Sequence, residues 1–123
     1  VDDCGAACCM AAVAESVLFL LHANVTLIQR QTAATRGIVL SGGLSQGDAW
    51  CQRLANLTGL PVVRPTAREA TARGIAWLAA GCPDDWRRGT ARRFTPRPDA
   101  AVRERYTRFM AAMMKATGCE FDL

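Results

Sequence analysis

The stretch VLSGGLSQGDAW, residues 39–50, decides the fold that this sequence predicts. A short aliphatic run, residues 38–40, stops at the pair Gly42 and Gly43, and a small polar segment leads into Trp50. A continuous apolar run of this kind is typical of a strand covered on both faces. The pattern therefore predicts a buried strand, a sharp glycine turn and a helix that begins near Gln46.

The helix after the glycine turn carries its own start and stop signals. Ser45 and Asp48 form an S-x-x-D pattern, which is close to a capping box. Asp48 is therefore interpreted as a helix-start residue and not as a catalytic base. Gly59 ends the helix, and its apolar stripe consists of Trp50, Leu54 and Leu57.

A second strand and a second helix follow along the chain. The strand is LPVVRP, residues 60–65. Thr66 and Glu69 form a T-x-x-E capping box, which predicts a helix that ends at Gly81. Gly74 lies in the middle of this helix and costs about 1 kcal/mol relative to alanine. Close packing against a sheet or another helix would explain it.

Longer segments flank this unit. Residues 10–31 form a helix that is apolar nearly all round, which predicts burial on several sides. Within it, Glu15 and His22 lie seven residues apart, and we expect them to form a satisfied polar pair. Residues 82–98 contain three prolines and no periodicity, which indicates a connecting loop. The last helix follows this loop and ends at Gly118, and its apolar stripe consists of Val102, Tyr106, Phe109, Met110 and Met113.

The order of these elements predicts an α/β fold. Two strands separated by a helix imply a right-handed βαβ unit with parallel strands. Two strands alone leave both sheet edges exposed and give the first helix little to cover. We therefore expect a part of a larger fold, or a domain that another chain completes.

Composition and charge limit the classes of function. The 123 residues suffice for one domain with one core, half of them are hydrophobic, and the net charge is +4. Eleven arginines lie between Arg64 and Arg108. No aromatic platform is interleaved with them, which favours a solvated surface over a nucleic-acid interface. Because Glu15, His22 and Asn24 interrupt the longest apolar stretch, no membrane span is expected, and no signal peptide is recognised.

The six cysteines do not form a recognisable framework. Their spacing is irregular, no C-x-x-C pair is present, and His22 is the only histidine. This pattern predicts the reduced thiols of a cytoplasmic protein rather than disulfides or a metal site. Cys51 and Cys82 are expected inside the fold as small hydrophobic residues.

The glycine pair is the candidate binding feature. In open α/β units, ligands bind beyond the carboxyl ends of the strands, where Gly42 and Gly43 lie. They permit positive φ angles and close approach to the main chain, and a helix beginning near Gln46 would direct free N–H groups to the same place. A phosphate would suit this arrangement. A simple tight turn explains the two glycines equally well, because neither phosphate-loop fingerprint is present.

The segment RGIVLSGGLSQGDAWCQRLANLTGLPVVRPTAREATARGIAWLAAG resembles the C-terminal segment of the FGGY family of carbohydrate kinases. The matching features are the strand that ends in Gly42-Gly43, then Gln52, the stretch LANLTGLPV, and EATARGIAWLAAG from Glu69 onward. AVAESVLFLL resembles the long helix of the family, and the FTP stretch before the last helix fits its ending. The resemblance covers roughly residues 10 to 116.

The resemblance implies a partial actin-like, ribonuclease-H-like ATPase domain. Two such domains in the family hold ATP in the cleft between them, and Mg²⁺ neutralises charge while an Asp acts as general base. It implies that Gly42, Gly43, Gln46 and Gly47 bind the nucleotide. Gly47 stands where an Asn often contacts adenine, so a base-specific contact is weakened. Ala11 stands where an Arg is common in the long helix.

The resemblance also implies what this chain lacks. Residues 1–9 match nothing assignable and are treated as an N-terminal tail, and residues 10–123 as the C-terminal part of the kinase C-terminal domain. The phosphate loop and the catalytic Asp of the family lie upstream, so no catalytic residue is expected here and the fragment alone should be inactive. The expected partners are ATP or ADP and, through the missing half, a sugar or polyol. The alternative is a non-catalytic module that self-associates as a homo-oligomer through its sheet edge and first helix.

Overall fold

A computed structural model describes residues 5–32, 35–67, 69–86 and 89–118. Within them lie four helices, three strands and one 3₁₀ turn. In chain order they are α1 (Ala6–Gln31), β1 (Ile38–Val39), the 3₁₀ turn (Gly43–Gln46), α2 (Asp48–Thr58), β2 (Val62–Pro65), α3 (Ala70–Ala79), β3 (Ala91–Phe94) and α4 (Ala100–Thr117).

The predicted parallel βαβ unit is confirmed. β1 and β2 pair in parallel, with Ile38 opposite Val62, and α2 crosses between them. Gly59 ends α2 with φ 71°, so the residue that lacks a Cβ takes the left-handed position after the helix. The expectation that β1 is covered on both faces is wrong, since the side chain of Val39 is 73% exposed.

A third strand lies in the segment that the sequence predicts to be a loop. β3 pairs antiparallel with β2, with Phe94 opposite Val62, so β2 is the central strand of the sheet. Only Phe94 of β3 is buried, which is why this edge strand has no apolar signal. The Gln52 side chain of α2 donates to the carbonyl oxygen of Thr95 at 2.8 Å and helps to hold this segment.

The core lies where α2 packs on the sheet and where α1 and α4 pack on α2. The Phe19 ring contacts the rings of Tyr106 and Phe109, with centroids 5.7 and 5.3 Å apart. The predicted apolar stripe of α4 is confirmed in Val102 and Met110, which are buried. The buried core cluster consists of Leu18, Phe19, Cys51, Leu54, Ala55, Leu57, Val62, Phe94 and Val102.

The prediction that the first helix is buried on several sides is wrong. α1 begins at Ala6 and contacts only α2 and α4 extensively among the described elements. Met10 and Val13 are 70% and 61% exposed, and further large apolar side chains on the helix are exposed as well: Val17, Leu20, Leu27 and Ile28. By length and composition α1 is also long enough to cross a bilayer, a test that the core helix of a soluble protein passes too.

α3 is also exposed, which corrects the expectation for Gly74. No described atom lies within 4 Å of a Cβ built on Gly74, so close packing does not explain this glycine within the described residues. The apolar side chains of Ile75 and Leu78 on the same helix are mostly exposed. The apolar side chains of α3 therefore lie on the surface of the described residues instead of in the core.

Neither predicted capping box forms. The Ser45 hydroxyl donates to the carbonyl oxygen of Gly42 at 2.7 Å, and the N-cap of α2 is Gly47. The Thr66 hydroxyl donates to the carbonyl oxygen of Thr90 at 2.9 Å. This bond joins the residue that follows β2 to the residue that precedes β3. A side-chain cap exists instead at α4, where Asp99 accepts from the amide of Val102 at 3.1 Å.

Glu15 and His22 do not pair as predicted. Glu15 accepts two hydrogen bonds from Arg105 of α4, from Nε and Nη2, both at 2.8 Å. His22 packs its ring against Tyr106, with centroids 4.6 Å apart, and its buried Nδ1 has no hydrogen-bond partner among the described residues. Burial and, to a smaller extent, the charge of Arg103 lower the pKa of His22.

The cysteines follow the predictions in part. Cys51 is fully buried, as expected, and burial raises the pKa of its thiol. Cys82 is exposed, with φ 57°, so its predicted burial is wrong. Cys8 is disulfide-bonded, which corrects the prediction of reduced thiols at that position. Cys119 lies outside the described residues.

Candidate functional site

The glycine turn after β1 has a backbone conformation that requires glycine. Gly42 has φ 94° and ψ −176°, a region that residues with a Cβ essentially never occupy. The carbonyl oxygen of Gly42 accepts from the amide of Ser45 at 3.1 Å and from its hydroxyl at 2.7 Å. Ser45 itself is buried. The turn is therefore a closed, internally bonded structure.

An open cavity of about 400 Å³ lies beside this turn. No described atom lies within 4 Å of a Cβ built on Gly42 or Gly43, so the glycine backbone is open to a ligand. The cavity is lined by Ser41, Gly42, Gly43, Gln46, Glu69, Ala70 and Thr71. Residues that follow β1 and residues at the start of α3, which follows β2, thus form one site.

Three of the four predicted site residues line this cavity together: Gly42, Gly43 and Gln46. Gly47 lies outside the lining, immediately before α2, where a Cβ would be 3.6 Å from the Cβ of Trp50. Sequence reasoning missed Glu69 and Thr71. The parallel βαβ unit was the available signal, because it brings the segments that follow both strands to one edge of the sheet.

The helix expected near Gln46 is present, and Asp48 lies at its start as predicted. α2 begins two residues later, at Asp48, after the 3₁₀ turn. The amide of Ser45 is already bonded inside the turn, and the first turn of α2 carries the carboxylate of Asp48. No residue of α2 lines this cavity, so the N-terminus of α2 does not contribute to it as the sequence suggested; the start of α3 lines it instead, beside the open glycine backbone.

The charge of the cavity comes from Glu69. A carboxylate in the lining repels a bare phosphate and suits hydroxyl groups or a cation-bound phosphate. Among the described residues, no group of three or more His, Cys, Asp or Glu side chains could hold a metal ion. The cavity thus offers backbone, hydroxyl and amide groups with one carboxylate.

A second open cavity of about 480 Å³ lies on the other side of the α3 start. Its walls include Trp77 and Trp86, and the guanidinium of Arg73 lies 5.9 Å from the ring centroid of Trp86. The indole N–H of Trp77 donates to the carbonyl oxygen of Pro83 at 3.2 Å and fixes that ring. Ala70 lines both cavities.

This architecture is that of a known class, the actin-like α/β domain of sugar kinases. A crystal structure of a ligand-bound xylulose kinase from Lactobacillus acidophilus superposes on 89% of this chain with a TM-score of 0.67 and 22% sequence identity, and the chain covers 24% of that structure. The predicted fold class, a partial actin-like domain with a βαβ unit and flanking helices, is therefore confirmed.

The sequence profile of the FGGY family of carbohydrate kinases, C-terminal domain, matches residues 2–81. The chain belongs to this family, as the resemblance predicted. A glycerol kinase of Cereibacter sphaeroides (strain ATCC 17029 / ATH 2.4.9) is 42% identical in an alignment of 93 positions, gaps included, that covers 66% of this chain and 18% of that protein. An autoinducer-2 kinase of Klebsiella pneumoniae is 35% identical in an alignment of 124 positions, gaps included, that covers 89% of this chain and 22% of that protein. The chain spans about a fifth of the length of these relatives.

Proposed function

We propose that this chain is the C-terminal nucleotide-binding portion of an ATP-dependent sugar or polyol kinase, which transfers the γ-phosphoryl group to a hydroxyl of its substrate. The observation that carries the proposal is the open cavity beside Gly42 and Gly43. Its volume falls in the range of small-molecule sites, about 300–1,000 Å³. Family membership supplies the class of reaction and does not identify the sugar.

The cavity residues have complementary parts in this proposal. The backbone at Gly42 and Gly43 contacts the phosphates or the ribose, since no side chain stands in front of it. The Gln46 amide and the Thr71 hydroxyl supply further hydrogen bonds. Glu69 accepts from ribose hydroxyls or faces the Mg²⁺ of the nucleotide. ATP supplies the phosphoryl group and Mg²⁺ neutralises its charge.

Phosphoryl transfer rests on positioning both substrates. The resemblance implies that the general base and the phosphate loop lie in the remaining part of the parent, which this chain lacks. We therefore propose that the chain alone binds nucleotide without turning it over. We further propose that it works in the cytoplasm, with no membrane or nucleic-acid partner.

Nuclear magnetic resonance on the ¹⁵N-labelled chain tests the nucleotide site. Titration with ADP and Mg²⁺ is expected to shift the amide signals of Gly42 and Gly43 most strongly and that of Gly47 less, because Gly47 lies outside the cavity lining. The amide of Gly118, at the end of α4, serves as the internal control. Unchanged glycine signals, or shifts centred on the Trp77 cavity, would contradict the proposal.

A second candidate function is a non-catalytic module that self-associates, and the exposed face of α1 favours it. Six positions on this face lie alternately three and four residues apart: Met10, Val13, Val17, Leu20, Asn24 and Leu27. All of them except Asn24 are apolar. These five apolar residues give a seam of the kind that packs helix against helix, and a single Asn within such a seam is compatible with it. The occupant we propose is the same face of a second copy. The two candidates are compatible, because the seam and the glycine cavity share no residues.

A further inference from the structure

We propose that Arg64 is a positioning residue that holds the 3₁₀ turn Gly43–Gln46 in the shape that binds nucleotide. The inference rests on the proposed function for its ligand and on contacts within the chain for its geometry. Arg64 lies on β2, the central strand, and does not line the glycine cavity. It therefore acts on the cavity through the backbone of the turn.

The guanidinium of Arg64 bonds directly to the end of the turn. Its Nη1 donates to the carbonyl oxygen of Ser45 at 2.8 Å and to that of Gln46 at 3.2 Å. The thiol of Cys51 donates to the same Ser45 carbonyl at 3.2 Å. Three donor contacts from β2 and α2 thus fix two consecutive carbonyl groups of a four-residue turn.

The carboxylate of Asp48 holds the Arg64 side chain in place. Its Oδ1 lies 2.8 Å from Nη2 of Arg64, and its other oxygen accepts from Arg92 of β3. The Arg64 side chain is only 17% exposed, and its guanidinium lies 5.5 Å from the centroid of the buried Phe94 ring. A charged group held in this way loses little conformational freedom when the turn forms, so it can transmit the rigidity of the sheet to the turn.

Only an arginine can make all of these contacts at once. The planar fork presents several donors in fixed directions, whereas a lysine ammonium is one point donor on a flexible stem. Gly42 and Gly43 lack the side chains that could stiffen the turn from the other side. Its rigidity therefore depends on the internal bonds of Ser45 to the Gly42 carbonyl and on the external bonds to the carbonyl groups of Ser45 and Gln46. We infer that the sequence places Arg64 nineteen residues beyond Ser45 for this purpose.

Arg64→Met and Arg92→Met form a matched pair of variants of the full chain. Both lose an ion pair with Asp48 and a guanidinium near Phe94, but only Arg64→Met loses the bonds to the turn. Amide hydrogen exchange without ligand is expected to speed up at least about tenfold at Ser45 in Arg64→Met and to stay within about twofold of the parent chain in Arg92→Met. The amide of Met110, a buried residue in the interior of α4, reports on global stability in each variant.

Titration with ADP and Mg²⁺ gives the second readout. Arg64→Met is expected to weaken binding by about tenfold, and Arg64→Lys by a smaller factor, because one donor remains. Arg92→Met should bind as the parent chain does.

The outcomes separate the two proposals. Unchanged exchange at Ser45 in Arg64→Met, or equal effects in both methionine variants, overturns the role of Arg64. Faster exchange with unaltered ADP affinity limits Arg64 to a structural role and overturns the positioning claim. A parent chain that binds no ADP contradicts the proposed function and the ligand half of this inference, while the exchange data still decide the contact of Arg64 with the turn.

Discussion

Gly42 and Gly43 are neighbours in the sequence but carry different constraints. Gly42 has φ 94°, whereas Gly43 does not have a positive φ, and neither has an atom within 4 Å of a built Cβ. Gly42→Ala is expected to lower the free energy of unfolding by about 1–3 kcal/mol, because alanine is strained at that backbone position. Gly43→Ala is the matched control and should change it by no more than about 0.5 kcal/mol.

Urea unfolding followed by circular dichroism measures both variants. Equal stabilities would contradict the constraint at Gly42. Gly43→Ala is also expected to weaken ADP binding, since its methyl group would enter the open space over the turn. A variant that is stable and still binds poorly would separate the requirements of the cavity from those of the fold.

The sequence predicted individual site residues only where they lie close together along the chain. Gly42, Gly43 and Gln46 lie within five residues of one another, and all three line the cavity. Glu69 and Thr71 come from a helix more than twenty residues further on, and only the pairing of β1 with β2 brings them close. The role of Ser45 was misassigned because its hydroxyl bonds backwards to Gly42 instead of forwards into α2, and both bonds are open to serine near a helix start.

The two long helices, α1 and α4, are joined by an ion pair that is shorter and less exposed than the pair within α4. Glu15 of α1 is half-buried and accepts two bonds from Arg105 of α4, while the pair between Arg108 and Glu104 is exposed at 3.8 Å. Glu15→Gln is expected to lower the free energy of unfolding by about 1–2 kcal/mol. The bidentate ion pair with Arg105 is lost, and the Arg105 guanidinium remains without its counter-charge.

Arg108→Met is the control for this prediction. It removes an exposed pair within one helix and should change stability by less than about 0.5 kcal/mol. Thermal and urea unfolding of both variants measure the difference. A loss in Glu15→Gln no larger than that in Arg108→Met would show that the contact between α1 and α4 depends on the aromatic cluster and not on the ion pair.

Elements were predictable where an apolar pattern and a stop residue agree. α2 and α4 end at Gly59 and Gly118, each in the left-handed conformation, and each helix buries the face that the sequence marks. β3 escaped detection because its exposed edge carries arginines and a single buried residue, Phe94, so no alternation develops. The sequence predicts both α1 and α3 as helices, but the burial of their apolar side chains depends on contacts that the described residues do not supply.

Among the described residues, large apolar side chains are exposed on both α1 and α3, and five of those on α1 form the seam described above: Met10, Val13, Val17, Leu20 and Leu27. The seam predicts that the chain self-associates, with a molar mass by light scattering that rises with concentration. Val13→Glu with Val17→Glu places charges on the seam and should return the mass to that of a monomer. Thr107→Glu, on an exposed position of α4, is the control.

A monomer at all concentrations would contradict self-association, as would a dimer that the glutamate pair leaves intact. Asn24→Val offers a test in the opposite direction. It replaces the polar residue of the seam with an apolar one and is expected to strengthen the association, because a polar group at such a position costs stability.

The central place of β2 has a consequence for how the chain folds during synthesis. The parallel pair can form as soon as Pro65 has left the ribosome, but the second edge of β2 stays unpaired until Phe94 emerges, 29 residues later. At about 5–20 residues per second this interval lasts on the order of seconds. The nascent chain therefore passes through a stage with an open strand edge next to exposed apolar helices, which is the stage at which chaperones would be needed most.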